Sequence, residues 1–218
     1  MNSRLFVIGD SFVFGLLKDY DSDRSIKVTP FGEILSQYCK KDYHEMGICG
    51  GTNQDIYQVV IDYFKIQQQD KVIVSWTGTQ RSDTSNKIVD PIPPIIDTTN
   101  YLNSVGCDYY YVSSFIDYRL ANVGVPDFCT KKWLWWYEED QTLYDQCLTS
   151  DHDLQHSAGS LAHGNRELTH IFGDTLTKLT ERFQSESAYL GSCNHPNRKG
   201  HQLIAKNIYR EVGENLQQ

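Results

Sequence analysis

The stretch Leu5-Phe6-Val7-Ile8-Gly9-Asp10-Ser11-Phe12 decides how the rest of the chain reads. Its first four residues form a short apolar run with no polar face. Such a run fits a strand covered on both sides, as in a parallel sheet. Gly9 closes the run, and Asp10 and Ser11 follow where the chain leaves the sheet. Open parallel sheets bind ligands beyond the carboxyl ends of their strands. A serine in this place therefore stands on the edge where chemistry is done.

Outward from this stretch, strands and helices alternate. Pro30 opens a helix with Phe31, Ile34, Leu35 and Tyr38 at core spacing. His44 to Ile48 reads as a second strand, running into Gly50-Gly51. Thr52-Asn53-Gln54-Asp55 carries N-cap chemistry for a helix over about residues 53–66, with Ile56, Val59, Val60, Tyr63 and Phe64 on its apolar face. Val72-Ile73-Val74 and Tyr109-Tyr110-Tyr111-Val112 are the third and fourth strands. Asn197 caps a last helix with Leu203, Ile204, Ile208 and Val212 at helical spacing. This alternation predicts an α/β domain with helices on both faces of a parallel sheet. Asp90-Pro91-Ile92-Pro93-Pro94 argues against regular helix or central strand within 82–100. Residues 115–165 read as an insertion in a single domain spanning 1–218, carrying Trp133, Trp135, Trp136, Tyr137 and then a histidine-rich run.

The 218 residues carry a formal net charge of −8. That charge repels phosphate backbones and anionic membranes, and Lys131-Lys132 and Arg198-Lys199 are too short to form a basic patch, so neither nucleic acid nor membrane is expected as a partner. No apolar run reaches membrane-spanning length, and the start lacks a signal-peptide core, which predicts a cytoplasmic protein. The six cysteines form no CxxC pair and read as reduced, mostly core-filling thiols. His152 and His156 share a helical spacing beside His163, but no His-Glu-x-x-His pattern accompanies them. A solvated polar loop is the better reading, and no metal or organic cofactor is expected.

Three segments carry candidate chemistry. Ser11 can serve as a nucleophile if a base takes its proton; the plainer role is a turn or cap. His195, in Asn194-His195-Pro196-Asn197, sits in a loop before a capped helix, where it can face a strand end or simply the solvent. Gly50, in Gly47-Ile48-Cys49-Gly50-Gly51-Thr52-Asn53, lets backbone N–H approach a ligand beside a helix start; the same glycines also serve a tight turn.

Taken together, the chain resembles the SGNH hydrolases, the GDSL esterases and lipases, well over its N-terminal third and last quarter and poorly between. Ile8-Gly9-Asp10-Ser11-Phe12 is similar to the family's first block, implying Ser11 as nucleophile. Gly50 matches the glycine of the second block, implying an oxyanion donor through its N–H alongside that of Ser11. His195-Pro196-Asn197 with Gly200-His201 is similar to the fifth block, implying His195 as general base, with His201 structural. The resemblance implies a three-layer flavodoxin-like fold with five parallel strands.

Two departures stand out. Thr77, in Ser75-Trp76-Thr77-Gly78, occupies the place of the third-block Asn, and its hydroxyl is a shorter-reaching oxyanion donor. Ser192 and Cys193 stand where the family usually carries its acid. A Ser11–His195 dyad is therefore expected. Asp10, Asn53, Trp76, Arg81 and Trp135 are candidate substrate contacts; Arg81 suits a carboxylate or a surface ion pair, and Trp135, with Trp133, Trp136 and Tyr137, suits the core slightly better than a cleft. The expected activity is hydrolysis of a carboxylic ester, an O-acetyl carbohydrate or short acyl ester, through an acyl-enzyme. The alternatives are a carbohydrate-binding or assembly module that has lost its chemistry, and acyl transfer to another alcohol. The signal-free chain and its atypical third block also resemble phage-encoded relatives.

Overall fold

A computed structural model of the chain describes residues 3–18, 25–63, 65–78, 90–114, 124–135, 142–143, 146–147 and 195–218. The elements in chain order are β1 (Arg4–Asp10), β2 (Leu16–Lys18), β3 (Ser25–Lys27), α1 (Phe31–Cys39), β4 (Asp42–Ile48), α2 (Asn53–Gln58), β5 (Lys71–Trp76), α3 (Ile92–Val105), β6 (Asp108–Ser113), α4 (Asp127–Thr130) and α5 (Arg198–Gln217). β2 and β3 form a small antiparallel ribbon. The main sheet is parallel throughout, in the order β4-β1-β5-β6.

The apolar runs alternate between two cores. Leu5, Val7, Ile73 and Val112 face one side and pack with Phe31 and Leu35 of α1 and Ile204, Ile208, Val212 and Leu216 of α5. Phe6, Ile8, Val72, Val74, Trp76, Tyr109 and Tyr111 face the other side and pack with Ile56 of α2 and Ile95 and Leu102 of α3. Period-two alternation on a doubly covered sheet gives this split, and the result is the expected three-layer α/β architecture.

Counted along the main sheet alone, the strand order is 2-1-3-4, the flavodoxin-like order without its fifth member. Two isolated parallel bridges, Tyr111 to Trp133 and Ser113 to Thr142, occupy the outer edge of β6. Tyr111 N–H donates to Lys132 O, and Leu134 N–H donates to Tyr111 O, both at 2.8 Å. Among the described residues the main sheet thus has four strands where five were expected, and its β6 edge carries these two single rungs.

The proline-rich stretch corrects the sequence reading: α3 begins at Ile92 and runs through Pro93 and Pro94. Prolines in a first turn lack N–H groups that would have no intrahelical partner in any case. Asp90 Oδ1 accepts the Ile92 N–H at 3.0 Å and sets that start. The helix after β4 is also shorter than expected. After Gln58 it passes into a π turn, Val59–Tyr63, which takes Tyr63 off the apolar face and leaves it 66% exposed. Phe64 and most of 115–165 lie outside the described residues. Cys39, Cys107, Cys129 and Cys147 are buried free thiols, and Cys49 is exposed. Among the described residues no helix is long and apolar enough to cross a membrane.

Candidate active site at the end of the first strand

The chain leaves β1 toward β4 on one side and later returns to β5 on the other. The carboxyl end of β1 is therefore the topological switch point, where open α/β sheets leave a crevice. Ser11 is the first residue beyond that end. Asp10 shapes the turn that carries it: its carbonyl accepts the Val13 N–H at 3.1 Å, and its Oδ1 accepts the Phe12 N–H at 3.0 Å. An Asx-type bond of this kind holds a tight turn without help from a neighbouring strand. Gly9 is required by closeness. A Cβ there would stand 2.6 Å from both the Cβ and carbonyl oxygen of Ser75, and 2.8 Å from Val13.

His195 Nε2 lies 2.6 Å from Ser11 Oγ. A nucleophile and its base need this reach. With Nε2 accepting from the serine hydroxyl, the neutral ring carries its proton on Nδ1. The histidine is presented by the start of α5, where Asn197 Oδ1 accepts the Lys199 and Gly200 N–H groups at 2.9 and 3.1 Å. The buried ring of Phe12 lies against the imidazole, 5.3 Å between centroids.

Behind the dyad sits His201, buried and stacked on Phe31. Its Nδ1 accepts the Phe31 N–H at 3.2 Å, a donor in the first turn of α1 that has no intrahelical acceptor. Burial, with His195 adding to it, pushes the His201 pKa down to about 3. It therefore stays neutral at neutral pH and places no cation beside His195.

The sign of the consequence for stability follows from linkage. An unfolded histidine titrates near 6.5, so between that pH and about 3 the unfolded chain binds a proton that the folded chain excludes. Stability contributed by neutral His201 is whole above pH 6.5 and declines as the pH falls, with a limiting slope of about 1.4 kcal/mol per pH unit. His201→Gln keeps an acceptor for Phe31 and cannot titrate. Urea unfolding between pH 7 and 4 is expected to show a flatter acid limb for this variant; parallel limbs would contradict it.

Asp10 is fully buried. Its Oδ1 also accepts from Ser114 Oγ at 2.7 Å, and Ser114 Oγ lies 2.7 Å from Ser75 Oγ. This buried chain joins the carboxyl ends of β1, β5 and β6 beside the turn that carries Ser11. It corrects the reading of Asp10 as a substrate contact, since the carboxylate faces inward and is engaged by the turn and by Ser114. Sequence reasoning missed Ser75 and Ser114. The available signal was a serine at the end of each neighbouring buried strand, where an apolar residue was expected.

The other candidates separate. Gly50 ends the β4 turn at φ 72°, exposed, with nothing within 4 Å of where a Cβ would stand. Thr77, just past β5, is buried, and its N–H donates to Asn53 Oδ1 at 3.0 Å. Asn53 is buried as well and donates to Pro91 O at 3.5 Å. It ties the loops after β4 and β5 together and is no surface contact. Trp76 is fully buried edge-on to Tyr111. Trp135 is buried in the α1–α5 core at φ 60°. Trp135 therefore takes the core role that sequence reasoning placed slightly ahead, and Trp76, expected as a substrate contact, is a core residue too. Arg81, Ser192, Cys193 and the histidines at 152, 156 and 163 lie outside the described residues. Among the described residues no cluster of three or more metal-ligating side chains occurs.

The fold is similar to that of a variant of an acetyl-xylooligosaccharide esterase from Geobacillus stearothermophilus, with a TM-score of 0.51 at 12% identity over 97% of this chain and 94% of that one. It is also similar to a structure assigned to the lipolytic G-D-S-L family from Desulfitobacterium hafniense (TM-score 0.48, 15% identity, 96% and 99% covered). A lipase/acylhydrolase from Enterococcus faecalis gives a TM-score of 0.46 at 13% identity, with 98% and 96% covered. No family model matches the chain, and no curated protein does. With its 2-1-3-4 parallel order and helices on both faces, this divergent chain has the fold of the SGNH hydrolases.

Proposed function

We propose that the protein is a serine esterase acting on a carboxylic ester of short acyl chain, such as an O-acetyl group on a carbohydrate. The observation that carries this reading is the 2.6 Å approach of His195 Nε2 to Ser11 Oγ at the switch point of the sheet. Ser11 Oγ attacks the acyl carbonyl while its proton passes to His195 Nε2. The N–H groups of Ser11 and Gly50, with Thr77 beside them, hold the oxyanion. The imidazolium then protonates the leaving alcohol, and an acyl-Ser11 ester remains. Water attacks that ester as His195 takes up its proton, and the imidazolium returns this proton to Ser11 Oγ as the acyl–oxygen bond breaks and the carboxylic acid departs. The acyl class is supported by the acetyl-xylooligosaccharide esterase of similar fold, whose name gives its own substrate.

The test is turnover of p-nitrophenyl acetate by the wild-type protein and by Ser11→Ala, with fluorophosphonate labelling in parallel. Ser11-dependent turnover and labelling support the proposal. A protein that neither turns over nor labels, yet binds glycans regardless of Ser11→Ala, would be a binding module instead.

A further inference from the structure

The parallel pair α1 and α5 leaves a groove of about 860 Å³ on its outer side. Its walls carry Gln37 and Tyr38 from α1 and Arg198, Lys199, Gln202 and Lys206 from α5. The pairing of Phe31 with His201 and of Tyr38 with Tyr209 fixes the direction of the two helices. Both start at the catalytic edge of the sheet, and the groove runs down from there. Arg198 is three residues beyond His195, so its backbone is within about 11 Å of the base. From Arg198 to Lys206 the helix rises about 12 Å.

The charge in this groove is unlike that of the chain, whose net charge is −8. Three cations line it, and among the described residues no carboxylate pairs with any of them. Glu33 of α1 acts instead on Tyr43 and Glu45 of β4, and Glu211 of α5 pairs with Arg210. Unpaired cations gathered in a concavity focus an attractive field for anions. The remaining walls are the amides of Gln37 and Gln202, Thr29, the aliphatic Ile34 and Leu203 and the exposed ring of Tyr38, which offer donors, acceptors and an apolar face to sugar hydroxyls and rings. A nucleic acid strand carries a charge every ~3.4 Å. A run of about 12 Å of such a strand carries about three or four charges, so the number of cations does not select between a nucleic acid and an acidic sugar chain, and the oligonucleotide arm of the experiment below decides between them.

We propose that this groove binds the carboxylate-bearing residues of an acidic sugar chain and feeds an acylated residue of the same chain to Ser11. This inference rests on the esterase reading for its second clause only, and binding is therefore tested without turnover. Ser11→Ala protein is titrated calorimetrically with hexagalacturonate, with xylohexaose as neutral probe, and with a single-stranded oligonucleotide of matched charge. At low ionic strength hexagalacturonate is expected to bind at least about tenfold more tightly than either. Added salt, or the exposed pair Lys199→Gln with Lys206→Gln, is expected to remove about tenfold of that affinity. Equal binding of the acidic and neutral probes, tighter binding of the oligonucleotide, no binding of any probe, or indifference to the double substitution would each overturn the groove. Loss of Ser11-dependent turnover in the earlier experiment would overturn the esterase and leave this result standing.

Discussion

Ser11→Ala and His195→Ala are each expected to lower kcat on a short acyl ester by at least about a thousandfold, and the double substitution by no more than either alone. The expectation follows from geometry. At 2.6 Å the serine hydroxyl and imidazole form one proton-transfer unit. Removing the base leaves a hydroxyl too weak to attack, and removing the hydroxyl leaves a base with nothing to activate. Groups that act as a unit are non-additive. Stopped-flow or steady-state rates for the four proteins of the cycle make the comparison. Additive losses would mean that Ser11 and His195 act on separate steps, and the dyad would be abandoned.

The second large effect concerns residues that never meet substrate. Asp10→Ala is expected to destabilise the fold by roughly 2 kcal/mol, because it takes the buried carboxylate acceptor away from the Phe12 N–H and leaves the Ser114 hydroxyl only its contact with Ser75 Oγ. The turn carrying Ser11 then loses its brace. A displacement of about 1 Å at a reacting atom costs on the order of a hundredfold in rate, and kcat is expected to fall by about that factor with KM little changed. Ser114→Ala keeps Asp10 bonded to Phe12 and is expected to lose less on both counts. Urea unfolding gives the stability, and the rate of fluorophosphonate labelling on folded protein gives the positioning. A destabilised Asp10→Ala protein that labels at the wild-type rate would show the buried chain to be packing only.

The layers of the fold were legible because its strands are short and unmixed. Leu5 to Ile8 and Val72 to Val74 carry their own evidence of burial on two sides, and Thr52 and Asn197 mark helix starts by side-chain chemistry. Prolines were misread because a rule for helix interiors was applied to a first turn, where Pro93 and Pro94 cost nothing. At the site, position beside a strand end and a helix cap left Ser11 and His195 open to plainer roles, and the resemblance of their motifs to the first and fifth blocks singled them out. Asp10 could not be sorted from a substrate contact, since its direction depends on Ser114, a partner 104 residues away. Trp135 posed a similar difficulty: an aromatic in an insertion suits a cleft and a core, and only packing separates them.

The two halves of the dyad lie 184 residues apart in the chain. At ordinary rates of translation the base emerges roughly 10–40 s after the nucleophile. Over that interval Leu5, Val7, Phe31 and Leu35 lack the partners that Ile204, Ile208, Val212 and Leu216 later supply. The growing polypeptide therefore presents an uncovered apolar sheet face to its surroundings, the condition under which nascent chains associate wrongly or are held by chaperones. Arrival of the last helix covers that face, caps the first turn of α1 through His201 and delivers His195 to Ser11. Completion of the core and assembly of the Ser11–His195 pair are thus one event in the life of the chain.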